Sequence, residues 1–211
     1  MITLPSFAAM LLASLPLALP FLHPHVPKAI VVQGAGGKAT LTWFTVPYNK
    51  DQVATLPNGA EWHLGFATLD VAMPLAAGKT VVPVAKYKLN VLRDGQGEFS
   101  KFVLIPTELI AARRAPRGQQ PDQAKVDAVK KDLASRSIPE RLELEAAKSA
   151  GKDAEHLDFA ILTRGFEAVE RGSANPKGGV SFALFADFGD LHRTLELVEQ
   201  FGDGANSDSG K

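Results

Sequence analysis

Short runs of alternating apolar and polar residues, separated by turn-forming residues, recur along most of this chain. In the clearest run, Tyr87, Leu89 and Val91 alternate with lysine and asparagine. That is the period of a strand with one buried face and one face in water. Asp94-Gly95-Gln96-Gly97 follows as a turn, and a second apolar run extends from Phe99 to Ile105. The pattern predicts an antiparallel β-hairpin.

The same alternation predicts about eight short strands in all, with no regular helix between most of them. This arrangement favours an all-β fold, an antiparallel β-sandwich or a partly open barrel, over alternating strands and helices. The further runs lie at Ala39 to Val46, Glu61 to Val71, Leu142 to Glu145, Leu157 to Ile161, Val180 to Leu184 and Leu191 to Val198.

One segment has a different period. Between Pro121 and Ala134, the apolar residues Val126, Val129 and Leu133 recur at helical spacing, and proline suits a first helical turn. We expect one surface helix here, within a loop and helix insertion at about 106–138. The rest of 27–200 is expected to form a single sandwich domain.

Both ends of the chain differ from this body. Residues 2–27 contain no charged side chain, and the apolar run within 1–22 has the length of a secretory signal. We expect a signal peptide or apolar leader over 1–22, so that the protein is exported to the periplasm or the extracellular space. An uncleaved anchor, which would bring the protein to the membrane, and a buried N-terminal arm are the alternatives. The tail 202–211 lacks bulky apolar residues and is expected to be disordered.

Composition excludes several classes of function. The chain has no cysteine, which excludes disulfides, thiolate metal sites and a lipid-modified N-terminal cysteine. Its 23 basic and 23 acidic residues give a net charge of zero, so nothing favours nucleic acid as a partner. The fold must therefore be stabilised by core packing alone.

The order of motifs resembles a family of small exported bacterial proteins described as a domain of unknown function. Those proteins carry a Trp-x-x-Gly turn followed by an Ala-Gly-x-Tyr strand. The matching segments here are Pro27 to Gly34, Ala39 to Asn49, Pro57 to Gly65 with Trp62, Ala77 to Leu89, and the closing segments Glu155 to Arg164 and Gly179 to Val198. Val84-Ala85 replaces Ala-Gly before the tyrosine, and Val26-Pro27-Lys28 replaces the family's leading Ser-Pro-His. The resemblance implies a β-sandwich and export, and it implies no known reaction.

Candidate site residues are few. Trp62 and His63 should lie on opposite faces of one strand, and together with Tyr87 they are our candidate ligand-binding residues. His23 and His25 flank a proline, and such a pair could bind Cu(II) or Zn(II). For each of these residues a structural role, in the core or on the solvated surface, is the alternative.

Other chemistry leaves no linear signature. The chain contains no Gly-x-Ser-x-Gly elbow of a serine hydrolase. Gly34 to Gly37 precedes a strand, as a hairpin turn would, and not a helix, as a phosphate-binding loop would. Glu143 and Glu145 share one polar strand face, where carboxylates are usually solvated.

Two classes of function follow: a non-catalytic binding or structural module for a small molecule, glycan or protein, and an envelope hydrolase whose site is assembled from loops. A copper- or zinc-binding protein is a third alternative. No cofactor is expected, and exposed edge strands leave the oligomeric state open.

Overall fold

The structure is a computed structural model that describes residues 25–151, 153–166 and 179–200. The expected leader over 1–22, His23 and the expected tail at 202–211 lie outside the described residues. The described part contains strands and short helices. In chain order they are β1 (Pro27–Gln33), β2 (Lys38–Phe44), α1 (Lys50–Ala54), β3 (Glu61–Val71), β4 (Leu75–Ala77), β5 (Thr80–Val82), β6 (Ala85–Arg93), β7 (Phe99–Pro106), α2 (Thr107–Arg113), α3 (Gln123–Ser135), β8 (Leu142–Glu145), β9 (Ala147–Lys148), β10 (Ala154–Phe166), β11 (Val180–Gly189) and β12 (Leu191–Glu199).

The strands form two antiparallel sheets, which confirms the predicted all-β fold. Sheet 1 has the strand order β1-β2-β3-β6-β7-β8. Sheet 2 has the order β10-β11-β12-β4-β5, and β9 also pairs with β12. The predicted hairpin is β6 and β7, with Leu89 opposite Leu104 and Val91 opposite Phe102. The two sheets are distinct, so the sandwich describes the fold better than the barrel does.

The core lies between the inner faces of the two sheets. Tyr87, Leu89 and Val91 are fully buried on the inner face of β6, as their alternation predicts. The Trp43 ring of β2 meets the Phe159 ring of β10 edge-on, with centroids 5.3 Å apart. This contact joins the sheets directly. Each fully buried large side chain stabilises the fold by about 1.5–3 kcal/mol, which allows a cysteine-free chain to be held by packing.

The segment at 106–138 contains two helices instead of the single helix expected there. The predicted one is α3, whose N-cap Asp122 accepts a hydrogen bond from the amide of Lys125. The other, α2, directly follows β7 and has no side-chain cap. Both helices bury apolar residues in the main core, Leu109 from α2 and Leu133 from α3. The segment is therefore part of the domain's core as well as of its surface. Of the helices in the described ranges, none is long and apolar enough to cross a bilayer.

A bulge interrupts β3 between His63 and Thr68. Gly65 and Phe66 both have positive φ values, 47° and 58°, and Phe66 is 69 % exposed. A Cβ at Gly65 would lie 2.6 Å from the carbonyl oxygen of Phe44, so only glycine fits this approach of the two strands. The bulge places Leu64 and Ala67 in the core on either side of it.

Candidate functional site: a cleft at the end of the sandwich

A cleft of about 430 Å³ opens at the end of the sandwich where four separate segments meet. Its walls are Tyr48 and the adjoining helix α1, the turn between β6 and β7, the end of β9, and the turn between β11 and β12. Antiparallel pairing brings the strand ends of sheet 1 together, because β2 ends, β3 begins, and β6 turns into β7 at the same end of that sheet. The volume is in the range of small-molecule sites.

His192 lies in the cleft wall with its imidazole oriented by a carboxylate. Nδ1 lies 2.7 Å from Oδ1 of Asp187, which is its cross-strand neighbour on β11. Nε2 lies 3.8 Å from Oδ1 of the exposed Asp153. Gly151 packs on the ring, where a Cβ would approach Nδ1 to 2.1 Å. The imidazole is therefore fixed from two sides and only 13 % exposed.

Tyr48 and Asp190 form the boundary between this cleft and a second one. The tyrosine hydroxyl donates a 2.7 Å hydrogen bond to Oδ1 of Asp190. Burial and this bond raise the pKa of Tyr48 to about 12, so the hydroxyl stays a donor at physiological pH. Gly189 has φ 61° and lies against the tyrosine ring, where a Cβ would come within 2.2 Å of it. The second cleft, about 340 Å³, adjoins the first at Tyr48, Lys50 and Asp190.

A buried arginine forms the back wall. Arg193 is 6 % exposed and donates to the carbonyl oxygen of Phe99, to the carbonyl oxygen of His192 at 2.9 Å, and to Glu98 at 3.0 Å. Lys148 reaches the same carboxylate oxygen of Glu98 at 3.0 Å. The hydrogen bond from Lys148 and the charges of both cations lower the pKa of Glu98. The carboxylate is thus held ionised between two cations.

An aromatic cluster supports the cleft, and the candidate residue Trp62 is part of it. The Trp62 ring centroid lies 4.7 Å from that of Phe188 and 5.7 Å from that of Phe99. Tyr48 packs edge-on against Phe188 at 5.1 Å. Trp62 is half-buried on the inner face, so it positions the cleft residues Tyr48 and Phe99 from behind.

His63 lies on the opposite, outer face of β3 and does not line either cleft. Its Nδ1 lies 2.9 Å from Oδ1 of Asn90, whose amide nitrogen donates to Glu61 at 2.9 Å. The same face carries Glu143, which Lys101 binds at 2.9 Å. That hydrogen bond, with a further one from Arg141, lowers the pKa of Glu143. This face is a surface ion-pair network, in which Glu143 is held in the ionised form.

The remaining candidates lie elsewhere. Tyr87 is fully buried, its hydroxyl donates to the carbonyl oxygen of Pro83 at 2.8 Å, and burial raises its pKa to about 12. His25 is exposed, with Nδ1 3.0 Å from the carbonyl oxygen of Thr45. Its expected partner in metal binding, His23, lies outside the described residues. Within 25–151, 153–166 and 179–200, no group of three or more metal-ligating side chains comes together.

The cleft residues with the clearest geometry, His192 and Tyr48, are not among the residues predicted to form a site. The sequence does contain one signal for them. Phe188-Gly189-Asp190 stands between two apolar runs as a turn, and a tight turn places its flanking polar residues at a strand end. Nothing in the linear order connects that turn to Tyr48, which is more than a hundred residues away.

No protein-family model, curated protein or solved structure was found to match this chain.

Proposed function

We propose that this chain is an exported, non-catalytic binding module whose end cleft takes a small polar ligand. The observation that carries the proposal is the cleft itself: about 430 Å³, built from four segments, with polar groups already fixed by hydrogen bonds. Pre-positioned side chains lose little conformational entropy when a ligand binds, which favours affinity. The apolar residues of 1–22 support export.

The environment of His192 supports binding over hydrolysis. An imidazole oriented by Asp187 would suit a general base, so a nucleophile within reach would favour the enzyme alternative. Among the residues of the cleft wall, the one serine or threonine is Ser149, whose amide donates to the carbonyl oxygen of His192 at 3.2 Å. Its Oγ is shielded from solvent and has no hydrogen-bond partner among the described residues. A hydroxyl in that position neither transfers its proton to His192 nor meets a substrate.

A blocking variant tests the binding site. Ala54 is exposed on α1 and lines the cleft, and Ala54→Trp would fill the mouth. We expect ligands found in a small-molecule screen by NMR chemical-shift perturbation to lose affinity by about tenfold or more in this variant. Ala111→Trp, on an exposed position of α2, is the matched control and should bind as the parent does. Ligands that bind both variants equally, or a screen without a single ligand at the cleft, would refute the proposal.

Export has a separate test. Mass spectrometry of the protein from the culture medium and the cell envelope gives its mature N-terminus. We expect cleavage within the apolar leader, with cuts after Ser14 and Ala18 as the candidates. Recovery of the chain with Met1 intact in the cytosol alone would contradict export. The same measurement decides whether His23 and His25 remain in the mature protein.

A further inference from the structure

The two adjoining clefts carry opposite charge. The first has four basic and two acidic side chains in its walls, Lys50, Arg93, Lys148, Arg193, Glu98 and Asp190. The second shares Lys50 and Asp190 with the first and adds two acidic side chains, Asp153 and Glu155. A ligand that occupies both therefore experiences a positive potential at one end and a negative potential at the other.

The charges at the two outer ends are available to a ligand. Lys148 is 71 % exposed and shares Glu98 with Arg193, so its ammonium can turn to an incoming anion. Asp153 is 88 % exposed, and its contact with Nε2 of His192 is long, at 3.8 Å. Lys50 lies at the boundary that the two clefts share, and it forms no ion pair with any residue in the part of the chain that the structure describes. By contrast, Arg193 is buried and uses its donors within the fold.

We infer that the ligand is a short peptide with free termini. This inference rests on the proposed binding function and names its ligand class. The C-terminal carboxylate would face Lys148 in the first cleft, and the N-terminal ammonium would face Asp153 and Glu155 in the second. The peptide backbone would cross the boundary formed by Tyr48 and Asp190, where the tyrosine ring offers an apolar surface and Asp190 an acceptor. In a free amino acid, the ammonium and the carboxylate are bonded to the same carbon atom, so that it would leave one cleft empty.

Peptides with blocked ends test the two charge contacts separately. The probes are trialanine, N-acetyl-trialanine and trialanine amide, with affinity measured by isothermal titration calorimetry at low salt. We expect each block to weaken binding by about three- to tenfold, because each removes one charge-assisted contact at a partly exposed site. Raising the salt concentration should reduce the difference between the free and the blocked peptides.

Charge variants assign each end of the peptide to its cleft. Lys148→Gln should weaken trialanine but leave trialanine amide unchanged, and Asp153→Asn should weaken trialanine but leave N-acetyl-trialanine unchanged. Lys79→Gln and Asp70→Asn change exposed charges outside both clefts and serve as matched controls. The melting temperature of each variant shows that it is folded. Equal losses for free and blocked peptides in either cleft variant would overturn the assignment.

The outcome also separates this inference from the proposed function. If the three peptides bind equally well, or none binds up to about 10 mM while other small molecules bind and Ala54→Trp excludes them, the peptide inference is wrong and the binding function stands. If nothing binds at the cleft, both fail. If trialanine binds and Ala54→Trp does not exclude it, the peptide site lies elsewhere, and the inference is again wrong.

Discussion

Glu199 has its carboxylate buried between the turn that joins β1 to β2 and the start of β11. It accepts hydrogen bonds from the amides of Gly36 at 2.5 Å, Ala35 at 3.2 Å and Val180 at 3.1 Å. Gly34 lies against the same group, where a Cβ would approach Oε2 to 2.6 Å. The glycine-rich turn therefore makes room for an anion, and the anion is a side chain of the same protein. The buried carboxylate explains why the turn at 34–37 is rich in glycine, although this turn leads into strand β2 and not into a helix.

Replacing this carboxylate tests its role. Glu199→Gln keeps the shape but turns an amide NH₂ toward backbone donors, so one buried amide loses its acceptor. We expect the free energy of unfolding to fall by about 1–3 kcal/mol, measured by urea denaturation. Glu196→Gln changes an exposed glutamate on the same strand and should stay within about 0.5 kcal/mol of the parent. Equal effects of the two substitutions would contradict a structural role for the buried carboxylate.

Lys88 gives the protein a pH dependence above neutrality. Burial lowers the pKa of its ammonium from 10.5 to about 8, and Nζ lies 4.7 Å from the centroid of the Phe66 ring. Between pH 8 and 10.5 the unfolded chain binds more protons at this group than the folded protein does, so this contribution to stability rises with pH. Because the side chain is partly exposed and the ring favours the cation, we expect an effect of only about 1 kcal/mol.

The comparison that isolates this group is Lys88→Met against the parent, with urea unfolding at pH 7 and at pH 10. The variant should be the more stable protein at pH 7, and its advantage should shrink by about 1 kcal/mol at pH 10. Lys86→Met, at an exposed position on the same strand face, should show no such change with pH. An advantage for Lys88→Met that is the same at both pH values would show that the lysine is not desolvated.

At the scale of elements, the turn between β11 and β12 positions the cleft through Gly189. Gly189 and Gly78 have similar left-handed φ values, 61° and 56°, but a Cβ at Gly189 meets the Tyr48 ring at 2.2 Å and one at Gly78 meets open space. Gly78→Ala should therefore cost about 1 kcal/mol, from backbone strain alone. Gly189→Ala should cost at least about 2 kcal/mol and also displace Tyr48 from Asp190.

Thermal unfolding and tyrosine titration measure these two effects. Burial and the bond to Asp190 raise the pKa of Tyr48 to about 12, and in Gly189→Ala this pKa should fall toward its ordinary value of 10 because the displaced ring is less buried and loses that bond. Gly78→Ala should leave the titration of Tyr48 unchanged. If both alanine variants lose the same stability and keep the same tyrosine titration, the ring does not depend on the turn.

The alternation of apolar and polar residues predicted the strands well. Tyr87, Leu89 and Val91 alternate because these three side chains enter the core from the same face of β6, and the turn residues after β6 define the hairpin with β7. Helix α2 was missed because it starts at Thr107 directly after a strand, with no side-chain cap to mark its beginning. The bulge at Gly65 was missed because its register shift depends on the neighbouring strand.

The cleft could not be derived in the same way. Its polar groups are single residues from segments far apart in the chain, and only the pairing of strands brings Tyr48, Glu98 and His192 to one end of the sandwich. Alternation does predict that Trp62 and His63 lie on opposite faces, yet it does not tell which face leads to a cavity. Aromatic candidates chosen by residue type alone, such as Tyr87, include those that the core requires.

At the scale of the whole molecule, Arg193 connects the two sheets at the back of the cleft. It belongs to β12 of sheet 2, and it donates to the carbonyl oxygen of Phe99 in β7 of sheet 1 and to Glu98 just before that strand. Apolar packing is non-directional and tolerates sliding of one sheet over the other. A buried guanidinium with fixed acceptors on both sheets defines how the sheets are aligned at this end.

Removing Arg193 should therefore weaken the sandwich as a whole. Arg193→Ala leaves the buried carbonyl oxygen of Phe99 without its donor and opens a cavity, so we expect a loss of about 2–4 kcal/mol in the free energy of unfolding. Arg164→Ala is the matched control, since Arg164 also pairs with a glutamate, Glu196, but is 52 % exposed and lies within one sheet. It should change stability by less than about 0.5 kcal/mol. Urea unfolding followed by the fluorescence of Trp43 and Trp62 measures both variants, and a loss in Arg193→Ala no larger than in Arg164→Ala would mean that apolar packing alone aligns the sheets.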